Sequence, residues 1–277
     1  MGDFVEQTAL EPIGEHRFRA VLSKEWALWG PAGGYVSAVA LRAAGAASSF
    51  RRPVSYACQY LNVARFDAVE LQVESLRAGK RSEALRVTMK QGEKLILTAQ
   101  VWAMNGHEGM VHDFVPAPEL PHPDSLKSTE QLRPEHPLHP FFLNFEQRPI
   151  GWVSEDDLTP GEPELRGFYR FRPRAIADDP FVDAARAVIL LDTFTWPATY
   201  RAHPSLEPSP WIAPNLDLYV RFHRETVGHE WLYCLGRADL AEAGLIAAQG
   251  AVWGLDRKLL ASGSTQLFCS PRPEQFR

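Results

Sequence analysis

One order of elements runs through this chain twice, and no other feature of the sequence restricts the fold as much. In the first half, HRFRAVL (16–22) alternates like a strand and GGYVSAVALRAAGAA (33–47) has the alanine content of a long helix. Strand-like runs follow at VSYACQYLNV (54–63), AVELQVESLR (68–77), EALRVTMKQ (83–91) and KLILTAQVWAM (94–104). Alternation is clearest in VELQVESL, which puts Val69, Leu71, Val73 and Ser75 on one face. The second half repeats the order. GFYRFRP (167–173) leads and VDAARAVILLDTFTWPA (182–198) supplies a helix. NLDLYVRFHR (215–224), EWLYCLGRADL (230–240), GLIAAQGAVWG (244–254) and KLLASGSTQLF (258–268) then supply strands. KLILTAQ and KLLASGSTQ echo one another, each ending in a glutamine, Gln100 or Gln266.

Proline and histidine crowd the span between the copies, where PAPELPHPDS and RPEHPLHPFF read as an extended connector. The expected organisation is a unit over 1–115, a Pro-rich linker over 116–160 and a second unit over 161–277. A strand, a long apolar helix and an antiparallel sheet predict an α+β architecture in which each sheet wraps and buries its helix. Two such copies would set their sheets side by side.

Burial of the second helix makes one of its residues conspicuous. AVILLDTFTWPA (187–198) carries Asp192 inside an otherwise apolar run. An unpaired buried carboxylate costs several kcal/mol, so it needs partners, a raised pKa or a chemical task. Pairing with Arg186 or Arg201, or capping of a neighbouring loop, would meet that need structurally. A carboxylate in an apolar pocket that faces a wetted cleft would instead be a general base.

Charge and cysteine usage narrow the classes of function. A net charge of −5 argues against general nucleic-acid binding, which needs a basic face to displace counterions. Cys58, Cys234 and Cys269 are widely spaced and lack a CxxC pair, so neither a disulfide framework nor a zinc site is expected. His136 and His139 in HPLHP have no carboxylate at ligand spacing. No window approaches the roughly 20 apolar residues of a spanning helix, and MGDFVEQTAL lacks the pattern of an export signal. The expectation is a soluble cytoplasmic protein without a metal, a membrane partner or a nucleic-acid partner.

Taken in order, GPAGGYVSAVALRAA, PVSYACQYLNVA, ELQVESLRAGKRSEALRVTMKQGEKLILTAQVWA, NLDLYVRFHR, EWLYCLGRADL and LLASGSTQ resemble the acyl-CoA thioesterase II family and its thioesterase-like relatives. The resemblance covers nearly the whole chain and lies in the order of segments rather than in a short motif. It implies a double hotdog fold with the active site between the two units, and hydrolysis of acyl-CoA in fatty acid metabolism. It also implies coenzyme A only as part of the substrate, no separate cofactor, and association into homo-oligomers. In that family an Asp on the second helix, a hydroxyl residue on the following strand and a Gln on the last strand position a water against the thioester. Asp192, Asn215 and Gln266 fall on these places, and Asn215 departs from the usual Thr or Ser. An amide can also donate to and accept from a water.

Other candidates follow from the chemistry required. Gly33 and Gly34 open the first helix, where unpaired N–H groups would suit an anion or oxyanion; close packing explains two glycines equally well. Arg77, Lys80 and Arg81 in LRAGKRS offer charge for the coenzyme A phosphates, or form a solvated turn. Phe194, Trp196 and Trp253 are candidates to line an acyl groove. No GxSxG elbow is present and no cysteine has an identified base, so a covalent mechanism lacks support. A non-catalytic acyl-CoA binding protein of the same fold is the alternative function, and a hydratase or dehydratase ranks last for want of a closely spaced Asp and His before a helix.

Overall fold

In the computed structural model, which describes residues 2–135, 138–154, 157–205 and 209–272, the chain opens with α1 (Phe4–Gln7), β1 (Glu11–Gly14) and β2 (Arg17–Val21). The alanine-rich stretch forms α2 (Gly33–Ala47), and β3 (Arg52–Tyr60), β4 (Ala68–Ala78), β5 (Ser82–Gln91) and β6 (Lys94–Met104) follow it. The connecting region holds α3 (Thr129–Leu132) and β7 (Phe145–Ile150). The second half then runs β8 (Glu164–Phe171), α4 (Pro180–Thr193), α5 (Thr195–Ala202), β9 (Trp211–Ile212), β10 (Asp217–Phe222), β11 (Leu232–Glu242), β12 (Leu245–Trp253), β13 (Leu259–Phe268) and β14 (Ser270–Pro271).

Twelve strands make one antiparallel sheet, in the order β1-β2-β4-β5-β6-β3-β10-β13-β12-β11-β8-β7, while β9 and β14 form a separate ribbon. Each half obeys the same rule. The strand before its long helix lies outside, the strand after it lies at the centre, and the remaining three fill between. The halves join where β3 pairs with β10, Ala57 opposite Tyr219.

The two long helices lie on one side of this sheet; 10 of the 15 residues of α2 and 13 of the 14 of α4 are buried, as expected of helices that are apolar over most of their circumference. Asp179 caps α4 by accepting from the Phe181 and Val182 N–H groups, and Pro180 occupies the first turn, where its missing N–H costs nothing. The single helix expected over 182–198 is instead two, broken at Phe194. Pro197 is the reason: in a continuous helix its ring would collide with the carbonyl of Thr193 and leave that carbonyl without a donor. Within α4, the buried Arg186 forms an ion pair with Asp183 at 2.7 Å and donates to the carbonyls of Ala175, Thr226 and His229. It therefore satisfies the start of the helix and leaves Asp192 alone.

Part of the expected 116–160 linker is structured. β7 extends the sheet beside β8, and Leu120 and Leu126 pack on Phe168, Trp231, Tyr233 and Trp253 across the sheet face away from the helices. Trp253 thus lies under the connector and not beside an acyl groove, because strand alternation turns it to that face. His136 lies outside the described residues. Among the described residues no group of three or more His, Cys, Asp or Glu could hold a metal, and no helix is long and apolar enough to cross a membrane.

Glycine lets α2 lie close against α4. A Cβ on Gly34 would stand 2.8 Å from the Cα of Ile189 and 3.0 Å from the Cβ of Asp192. Gly34→Ala should force the helices apart and cost about 1–3 kcal/mol, as overpacking of a tight core does. Urea denaturation would register this as a lower midpoint with an unchanged slope.

Candidate active site

Where the helices meet, the Asp192 side chain is 7% exposed and has no cation within ion-pair distance among the described residues. Three donors hold it. The Gly34 N–H, in the first turn of α2, reaches Oδ2 at 2.6 Å. The Tyr60 hydroxyl, at the end of β3, reaches Oδ1 at 2.9 Å, and the Asn215 amide, just before β10, reaches the same oxygen at 2.6 Å. First-turn N–H groups have no intrahelical acceptor, so Gly34 is free to make its bond. A Cβ on Gly33 would come within 3.0 Å of Oδ1, so backbone lies flush against the carboxylate.

The site spans the seam. Gly34 and Tyr60 belong to the first half, Asp192 and Asn215 to the second. The break at Phe194 matters here, since it frees the carbonyl of Asp192 to accept from the Thr195 hydroxyl at 3.0 Å and from the Asn215 amide at 3.2 Å. Asn215 consequently grips both the backbone and the side chain of one residue.

Burial raises the Asp192 carboxyl above its ordinary pKa, against the pull of Tyr60, Asn215 and Gly34, whose hydrogen bonds favour the ionised form. A carboxylate offers about four lone-pair directions, and these three donors leave one, on Oδ2. The Tyr60 phenol, buried beside this charge, is held well above its usual pKa and stays a donor. It also exchanges a 2.7 Å hydrogen bond with the Ser37 hydroxyl on α2. Burial pushes the neighbouring Cys58 thiol up to about 11, which leaves little thiolate for nucleophilic chemistry.

The structure brings together Asp192, Asn215, Gly33 and Gly34 but not the other candidates. In β13 the buried Thr265 and Leu267 face the helices, as does Gly263, whose Cβ would meet Leu191. Gln266 points the opposite way, into a hollow shared with Asp239, Gln249 and Ser264 on the outer face. A one-residue offset along a strand reverses its face, and this offset separates Gln266 from Asp192. On the helix side at that level is Thr265, its hydroxyl given to the carbonyl of Asp217 at 2.5 Å.

Arg77, Lys80 and Arg81 are also remote. Tyr60 pairs with Leu97, Leu97 with Met89 and Met89 with Leu71. From Leu71, Arg77 is a further six residues along β4, about 20 Å at the rise of an antiparallel strand. The three side chains form an exposed turn at the far end of the sheet. Phe194 is buried with its ring 4.3 Å from that of Tyr169, so it fills core space. His223 bonds to the Ser262 hydroxyl and Arg221 covers the ring of Tyr219, both away from the site.

Tyr60 and Ser37 are the residues that sequence reasoning missed. A signal existed: alternation puts Tyr56, Cys58 and Tyr60 on one face of a strand that borders a buried helix, and a run of polar-tipped side chains there needs partners.

Residues 22–104 match the acyl-CoA thioesterase N-terminal domain family, and residues 115–269 match the acyl-CoA thioesterase C-terminal domain family. Among solved structures, a conserved protein of unknown function with a hot dog fold from Alicyclobacillus acidocaldarius has 19% identity and a TM-score of 0.81, covering 99% of this chain and 100% of its own. The tesB protein of Mycobacterium avium subspecies paratuberculosis has 23% identity and a TM-score of 0.77, with 97% and 99% covered. The acyl-CoA thioesterase II TesB2 of Mycobacterium marinum has 20% identity and a TM-score of 0.78, with 99% and 100% covered. These likenesses establish a hotdog fold. No curated protein matches this chain in sequence.

Tyr60→Phe removes a donor to the ionised form of Asp192, so the carboxyl should titrate at still higher pH than in the parent protein. Carbon NMR of protein labelled at aspartate carboxyls would follow it. A midpoint that does not move would mean that the phenol does not donate to Asp192.

Proposed function

The chain belongs to the acyl-CoA thioesterase family, and we propose that it hydrolyses acyl-CoA thioesters by direct attack of a water that Asp192 deprotonates. The reading rests on one observation: a buried carboxylate without a cation, fixed by three donors, with a single acceptor direction left on Oδ2.

A water seated on that direction lies beside the start of α2. As its oxygen forms a bond to the thioester carbonyl carbon, its proton passes to Oδ2 of Asp192. Negative charge gathers on the carbonyl oxygen, to which the first-turn N–H of Gly33 can donate, since Gly34 is committed to the carboxylate. When the carbon–sulfur bond breaks, the departing sulfur takes the proton back from Asp192, leaving a carboxylic acid and coenzyme A. Only water is consumed. Asn215 acts through its amide, whose N–H groups hold Asp192 and whose oxygen is left to accept from the water; it takes the place of a hydroxyl.

Exposed Leu61 and Leu216, which directly follow Tyr60 and Asn215, give the seam an apolar rim over which a thioester can approach. The mirrored strand order of the two halves supports reading the chain as a double hotdog, with units over 1–115 and 161–277 and the connector over 116–160.

Because burial raises the pKa of Asp192, activity should fall on acidification at a pH above the ordinary carboxylate range, where the base becomes protonated. Asp192→Asn should lower kcat/KM by about 10²–10⁴-fold, the usual contribution of a general base. Thiol release from a panel of acyl-CoAs measures both effects, and turnover of the variant at the parent rate would remove the carboxylate from the mechanism.

A further inference from the structure

α2 brings two polar groups to the seam, and the Gly34 N–H is only the first. Ser37, three residues on and therefore on the same face, is fully buried in a helix whose other small side chains are apolar. A helical serine can return its hydroxyl to the carbonyl one turn back, but Ser37 turns it outward, to the Tyr60 hydroxyl at 2.7 Å and the Cys58 thiol at 3.6 Å. The direction of these bonds follows from counting protons. The Tyr60 phenol has one hydrogen, and the ionised Asp192 takes it on Oδ1, having none to give. Ser37 must then donate to the Tyr60 oxygen, and the Cys58 S–H must donate to Ser37. Beyond Cys58 the chain goes no further, for the buried Tyr56 hydroxyl on the same face of β3 has no hydrogen-bond partner among the described residues.

Charged side chains of the neighbouring elements are engaged elsewhere: Arg42 of α2 with Val5 and Thr8, Glu83 of β5 with Ser48 and Ser75, and Asp183 of α4 with Arg186. The titratable groups that meet here are therefore Tyr56, Cys58 and Tyr60 of β3 and Asp192 of α4. A hydrogen bond received by a hydroxyl polarises the one it gives, most of all where water is scarce. We propose that Ser37 is a positioning residue for hydrolysis: by donating to the Tyr60 oxygen it fixes the phenol O–H on Asp192 and sets how readily this base takes a proton. The inference rests on the hydrolytic reading of Asp192 and adds a residue that tunes it without touching it.

Carbon NMR of aspartate carboxyls and the pH profile of kcat/KM for acyl-CoA test the link together. Ser37→Ala should move the Asp192 midpoint up by about half a pH unit, the scale on which one neighbour polarises a hydrogen bond, and the acid limb of the profile should move with it. Ser37→Cys keeps the shape with a weaker donor and should fall between. In the Tyr60→Phe protein, Ser37→Ala should add no shift, because the route from Ser37 to the carboxylate is already cut. A shift of equal size in both backgrounds would mean that Ser37 acts through packing and would overturn the proposal. Hydrolysis that requires Asp192, with a midpoint and an acid limb indifferent to Ser37→Ala, would overturn the role of Ser37 and keep the hydrolytic reading. Midpoints that shift as expected in a protein that cleaves no acyl-CoA would support the link from Ser37 to Asp192 and overturn the hydrolytic reading.

Discussion

The rest of the structure depends on a contact from which a side chain is missing. Gly34 lets the backbone of α2 lie against Ile189 and Asp192 of α4, close enough for a main-chain N–H to reach a carboxylate across two elements from different halves. A hydrogen bond to an ionised group is stronger than one between neutral groups, and in a water-poor seam its strength is kept. The contact therefore orients the reactive group and helps to keep it ionised in a place that would otherwise neutralise it. With Gly33 beside it, the same two glycines serve packing and electrostatics together, so the two explanations of a glycine pair were never alternatives.

Pro197 exerts a second constraint from a distance. By ending α4 early it leaves the Asp192 carbonyl open to Asn215 and Thr195, and it swings the following turn into a new direction. An uninterrupted helix would have kept that carbonyl for itself, and Asn215 would have had only half of its present hold. A backbone effect five residues downstream thus fixes how firmly the carboxylate is oriented.

Much of this was legible from residue patterns and some was not. The bounds of α2 follow from alanine content, and the strand runs follow from alternation, because both signals are local. Asp192 stood out since charge inside an apolar run is rare without cause. Gln266 failed because its facing depends on a single step of register, which composition does not encode and which β13 settles through the packing of Gly263 on Leu191. How far Arg77, Lys80 and Arg81 lie from Asp192 is a property of strand pairing and not of charge, so composition alone did not place them. Tyr60 went unread because an aromatic residue in a strand is ordinarily core, and only the meeting of β3 with α4 reveals what its hydroxyl touches.

Because α2 and α4 run antiparallel and pack along their length, they meet at two ends. At one, the start of α2 meets the end of α4, and a carboxylate lies there. At the other, the end of α2 meets the start of α4, and a Cβ on Gly45 would fall 2.5 Å from the ring of Phe181. There the space beside Gly45 is filled by the aromatic ring of Phe181 and not by a carboxylate. The two ends of the helix pair therefore differ in kind: one holds a carboxylate among its donors, and the other holds a packed ring that fixes how far apart the helices stand.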